Sequence, residues 1–223
     1  MSMNNLKPVL THIAALVLCL APAFGQGTAS ISGVPGPLDW KNTPQFWNYD
    51  SHHLLTISSK AKSDWFVDPF DGTVANNAPI LLFTPGPDYV LTARVSVAFT
   101  AKWDAGALML MGDDHRWAKL SFEFSPDRKP TLVTVVTRDL SDDCNSMSLA
   151  SDSVYLRIAR SGKTYVFYFS PDGQAWQNLR TFSLDTDLPI RVGFESQSPA
   201  GGGTVARFSV ISYDPRRTGN VYK

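Results

Sequence analysis

Residues 117–124 read WAKLSFEF, and the spacing of their apolar side chains decides between helix and strand. Ala118, Leu120, Phe122 and Phe124 recur at every second position, with Trp117, Lys119, Ser121 and Glu123 between them. A period of two puts each set on its own face of a β-strand, whereas a helix would scatter both around its circumference. Short apolar or alternating runs continue outward in both directions. PILLF, YVLTARVSVAF and GALMLM precede this stretch. TLVTVVTR, SVYLRIAR, KTYVFYFS, LPIRVGFES and TVARFSVISYD follow it, punctuated by Gly, Pro, Asn and Asp clusters. Nine such runs with short connectors, and almost no helical periodicity, predict an all-β fold: an antiparallel β-sandwich or jelly roll.

The 223 residues are 43% hydrophobic and 18% charged, with a formal net charge of zero. That composition suits an ordered globular chain, and the charge balance argues against nucleic acid or an anionic membrane as partner. Residues 1–25 carry Lys7, the apolar run VLTHIAALVLCL (9–20) and then Ala23-Phe24-Gly25, the layout of a secretory signal peptide. Cleavage near Gly25 and export to the periplasm or beyond are expected. The apolar run falls short of the about 20 residues that span a bilayer, so no transmembrane segment is expected in the mature chain. Residues 26–37 form a lead-in, 38–214 one sandwich domain, and 215–223 a tail that frays. Cys144 is then the one remaining cysteine, in a polar stretch (RDLSDDCNSMS) that reads as a loop.

Two further runs divide as WAKLSFEF does. Val154, Leu156 and Ile158 oppose Tyr155 and Arg157, while Ile190, Val192 and Phe194 oppose Arg191 and Glu195. KTYVFYFS is apolar on both faces, as expected of a central strand, and Tyr168 would join the polar patch. A solvated outer sheet face is the ordinary meaning of such polar sets. Lys, Glu and Arg mixed with Trp and Tyr also describe a surface for a sugar or another polar ligand. On that reading Trp117 stacks on a ring, with Trp65 as a second indole. Lys119, Glu123, Arg157, Tyr168, Arg191 and Glu195 would then meet hydroxyl groups. A protein partner is the alternative.

Other chemistries find little support. There is no Gly-x-Ser-x-Gly elbow and no phosphate-binding loop. His52 and His53 are adjacent, so a strand would point them to opposite faces. No cofactor is expected. Calcium needs six to eight oxygen ligands, towards which DPFDG (68–72) and SDD (141–143) would supply some. SPDGQAW (170–176) has the residue types of a sialidase Asp-box, but Asp172 and Gly173 are adjacent where the box has a spacer. Pro-Asp-Gly is turn chemistry, so a hairpin corner is expected there.

The order of segments carries a resemblance. SDWF, GALMLMGDDHRWAKLSFE, YFSPDGQAWQNLR and VGFESQSP are similar to the uncharacterised family of concanavalin A-like sandwiches that includes the yeast regulation-of-enolase protein. The likeness covers roughly residues 38–213. It implies the jelly roll of lectins, laminin-G-like modules and some glucanases, and it implies no general activity. Glucanases of this fold commonly place their two acids on one strand as Glu-x-Asp-x-x-Glu. Here Glu123 is followed by Phe124 and Ser125, so a hydrolytic pair would have to be Glu123 with Glu195 across the sheet. A non-catalytic binding domain is the expectation.

Overall fold

The structure, a computed structural model, describes residues 28–215. The expected signal peptide and all but the first residue of the expected tail lie outside them. Sixteen strands run in chain order. The first five are short: β1 (Asp39–Lys41), β2 (Phe46–Tyr49), β3 (Leu55–Ser58), β4 (Trp65–Val67) and β5 (Val74–Asn76). The next six are β6 (Ile80–Phe83), β7 (Tyr89–Val97), β8 (Ala105–Met111), β9 (Arg116–Phe124), β10 (Pro130–Arg138) and β11 (Leu140–Ser148), all but β7 in one sheet. The last five are β12 (Ser153–Ser161), β13 (Thr164–Ser170), β14 (Gln177–Phe182), β15 (Arg191–Gln197) and β16 (Val205–Asp214).

They form two antiparallel seven-stranded sheets, ordered β1-β6-β15-β8-β9-β10-β11 and β14-β13-β12-β7-β16-β3-β2, with β4-β5 as a separate ribbon. The all-β sandwich is therefore the fold. All nine apolar or alternating runs are strands. Their apolar sets meet between the sheets, with Leu120, Phe122 and Phe194 of the first sheet in one cluster with Leu156, Phe167 and Phe208 of the second. Burying about thirty such side chains is the main source of stability. The lead-in contributes as well, since Ala29 and Ile31 are buried in that cluster and Ala29 bridges to Leu38.

Three local readings change. β13 is second from its sheet's edge, flanked by β14 and β12. The polar stretch around Cys144 is strand β11, the edge of the first sheet, and Cys144 is exposed. A strand exposed at a sheet edge needs no apolar alternation, which is why it reads as loop. The SDD segment (141–143) belongs to the same strand.

The Pro-Asp-Gly corner is a turn between β13 and β14, as expected. Asp172 Oδ1 accepts the Ser170 hydroxyl at 2.8 Å and the amides of Gln174 and Ala175 at 2.8 and 3.0 Å. Those amides hold the Asp172 carboxyl below its ordinary pKa. Gly173 has φ +78°, and a β-carbon there would lie 3.1 Å from the Tyr155 ring. Gly173→Ala should therefore destabilise the fold by about 1–2 kcal/mol, through left-handed strain and ring displacement. Urea denaturation checks this. An unchanged midpoint would mean that the turn can rearrange freely.

Candidate functional site

The outer face of the first sheet can be read row by row from its registers. Gln197, Ala105, Glu123 and Thr131 are cross-strand neighbours in one row. The next row holds Ile80, Glu195, Ala107, Ser121 and Val133. Then come Gly193, Met109, Lys119, Val135 and Asp143, followed by Arg191, Met111, Trp117, Thr137 and Ser141. Gly193 has no alternative, because a β-carbon there would collide with the Leu81 carbonyl of β6. Alternation in sequence thus placed Trp117, Lys119, Glu123, Arg191 and Glu195 on one face.

That face is not open to solvent. The β4-β5 ribbon lies over it as a flap, with Trp65 and Val67 buried and Phe66 partly so. The Trp65 indole donates to Ala78 O at 2.9 Å and meets Trp117 edge-on at 6.1 Å between centroids. The Val67 amide donates to Ser141 Oγ at 2.9 Å. Trp117 is 0% and Trp65 1% exposed. Neither indole offers a face to a ligand, which corrects the expectation that they stack on a ring. They form a second small core with Ile80, Leu82, Met109, Val133 and Val135.

The flap also encloses charge. Lys119 Nζ donates to Asp64 Oδ1 at 3.0 Å, to the Trp65 carbonyl at 2.7 Å and to Gln197 Oε1 at 2.5 Å, which uses all three of its protons. Burial works against its charge, but Asp64, Glu195 and Glu123 outweigh burial and leave its pKa raised. Glu123 is pushed up to about 8 by burial; Lys119 opposes that, while Asp64, Glu195 and Asp143 add to it. Glu195 is pushed up to about 7, again by burial first. It is 0% exposed, and neither of its oxygens has a hydrogen-bond partner among the described residues. A hydrolytic pair of Glu123 with Glu195 therefore lacks access at its second member.

What remains open is a cleft of about 380 Å³ beside the flap. Asp64, Phe66 and Asp68 line it from the flap side, and Lys119 and Glu123 from β9. Val133, Val135, Asp143 and Asn145 line it from β10 and β11, and Trp103, Pro126, Gln197 and Pro199 from neighbouring turns and β15. Trp103 is the exposed indole here, 38% accessible. The buried carboxylate of Asp104 fixes its turn. Asp104 Oδ2 accepts the Thr100 and Ala101 amides at 2.9 Å each, and Oδ1 accepts the Ser198 hydroxyl at 2.6 Å. Gln197 Nε2 donates to the Trp103 carbonyl at 3.1 Å. Of the residues expected from sequence, only Lys119 and Glu123 line the cleft. Asp64 and Trp103, which sequence reasoning passed over, sit beside an indole in SDWF and an aspartate in KWD.

Two expected members lie elsewhere. Arg157 and Tyr168 are on β12 and β13 of the second sheet, on its outer side, so they do not converge with the rest. Arg157 lies with Cζ 3.4 Å from the Trp176 ring centroid and donates to Thr92 Oγ1 at 3.1 Å. Arg191 shares the first sheet's outer face but sits at its far end, tied to Asp39 Oδ2 at 2.9 Å and Leu82 O at 2.7 Å. Among the described residues, no group of three or more His, Cys, Asp or Glu is arranged to hold a metal ion, and no helix is long and apolar enough to cross a membrane.

Residues 40–216 match a family described as "Protein of unknown function (DUF1349)". No curated protein matches the chain. Among solved structures, it is similar to a functionally unknown protein from Saccharomyces cerevisiae, with TM-score 0.74 and 22% identity, over 81% of this chain and 97% of that one. It is similar to a glycoside hydrolase family 43 protein from Bacillus licheniformis, with TM-score 0.63 and 14% identity, over 83% of this chain but 38% of the enzyme's length. The carbohydrate-binding module CBM66 from Bacillus subtilis aligns with TM-score 0.51 and 11% identity, over 78% and 94%. At these identities the likeness is one of fold.

Proposed function

We propose that this chain, which belongs to the DUF1349 family, is an exported carbohydrate-binding domain whose site is the cleft beside the β4-β5 flap. One observation carries the reading: a single concavity joins an exposed indole, Trp103, to buried hydrogen-bonding groups, Glu123 and Gln197. Saccharide sites need both, since an aromatic face packs against the C–H groups of a ring and fixed polar groups select its hydroxyls. Glu123, protonated near neutral pH, would donate to a sugar oxygen, while Asp64 and Asn145 would accept and donate at the rim. Sandwiches of similar fold, in a carbohydrate-binding module and in a glycoside hydrolase family 43 protein, lend support.

Calorimetric titration with xylotriose, cellotriose and the trisaccharides of glucosamine and N-acetylglucosamine tests it. At least one should bind. Trp103→Ala should weaken that binding about tenfold or more, while the unfolding temperature stays within about 2 °C of the parent's, because the indole is partly exposed. Binding unaffected by Trp103→Ala would place the site elsewhere.

A further inference from the structure

The cleft has an excess of acid. Asp64, Asp68, Glu123 and Asp143 line it, against Lys119 as the one cation among its lining residues. Lys119 cannot serve an incoming group, since its three protons already go to Asp64, Trp65 O and Gln197. Glu123 is 7% exposed and lines the cleft, yet its carboxyl makes no hydrogen bond or ion pair among the described residues. A carboxyl this buried and unpartnered costs free energy unless a ligand completes it. The other charged groups facing it are Lys119 on its own strand, Asp64 on the flap, Glu195 on β15 and Asp143 on β11. Lys119 is already committed to its three acceptors, and Asp64 and Asp143 face Glu123 across the cleft, so a cationic group suits the position better than an anionic one.

We infer that the cleft selects a saccharide bearing an ammonium group, an amino sugar, with that group seated on Glu123 and the ring against Trp103. The inference rests on the carbohydrate reading above and narrows it. An ammonium donates to carboxylate oxygens and offsets the cleft's excess of acid on the Glu123 side, away from Lys102, whose Nζ lies 4.3 Å from the Trp103 ring centroid, whereas an acetamido group in its place is neutral. Seating it would ionise Glu123, which burial otherwise holds protonated near neutral pH, so binding would release a proton.

Calorimetry near pH 6.5, in two buffers of different ionisation enthalpy, reads both effects. The glucosamine trisaccharide should bind about tenfold or more tightly than its N-acetylated counterpart, with net proton release. Glu123→Gln should erase the preference and the release together, leaving the N-acetylated ligand within about twofold. Should that variant not fold, Asp143→Asn at the exposed strand β11 takes its place, with the preference cut about threefold. Equal affinities, absent proton release, or a preference unmoved by these variants would overturn the inference. Binding of xylotriose or cellotriose alone would overturn it and leave the carbohydrate reading standing. Failure of every saccharide would overturn both.

Discussion

Lys119→Met should destabilise the fold by about 3–5 kcal/mol, the cost of breaking a buried ion pair by removing one partner. The side chain is 2% exposed and closes the flap onto the sheet through Asp64 and Trp65, at the start of the flap, while Gln197 at the end of β15 holds its third proton. Methionine keeps the length and volume but leaves Asp64 without its cation and the Trp65 carbonyl and Gln197 Oε1 without their donor. For a domain of this size the loss corresponds to a fall in unfolding temperature of about 6–20 °C. The flap should loosen first. Trp65 and Trp117, now fully buried, should become more accessible to acrylamide quenching before global unfolding. Adding Asp64→Asn to Lys119→Met should recover part of the loss, because the two residues act as one unit. A Lys119→Met protein as stable as the parent, with unchanged quenching, would mean that apolar packing alone holds the flap.

How far the sequence could be read follows from what each pattern encodes. The alternation of residues 117–124, and of the runs around Leu156 and Phe194, fixed their faces correctly, because one side of each had to be apolar to reach the core. Alternation says nothing, however, about which sheet a strand joins. Arg157 and Glu195 looked equivalent in sequence, yet their strands belong to different sheets. Nor does it announce a covering layer. Trp117 opposite four core residues reads as exposed, and it would be, were it not for a ribbon of two three-residue strands that pairs only with itself. Such short strands carry too few positions for a period to register. The cleft was harder still. Trp103 and Asp64 lie in turns, and their placement depends on bonds made across 94 and 55 positions by Gln197 and Lys119. Long-range pairings of that kind leave no local signature.

Stability should fall by several kcal/mol as pH rises from about 5 to about 8.5, the reverse of the usual acid sensitivity. Glu123 and Glu195 take up protons in the folded protein up to about pH 8 and 7, against an ordinary value of 4.5 in the unfolded chain. Between 4.5 and those values the folded state binds more protons than the unfolded one. The slope of unfolding free energy with pH is therefore negative over that window. Their contribution is fully present below pH 4.5 and lost as pH climbs through 7 and 8. Exposed aspartates such as Asp139 and Asp172, whose values are lowered, act the other way, but only as pH falls through the acidic range below 3.8. Lys119, raised from 10.5, loses its charge only above this window. Urea midpoints across the range measure the profile. Glu195→Gln is the sharper test, because Glu195 lies outside the cleft lining and glutamine keeps its shape without an ionisable proton. That variant should match the parent near pH 5 and exceed it by about 1–2 kcal/mol near pH 8.5. A parent profile that is flat or rising across this interval, or a Glu195→Gln profile as steep as the parent's, would show that Glu195 stays ionised beneath the flap.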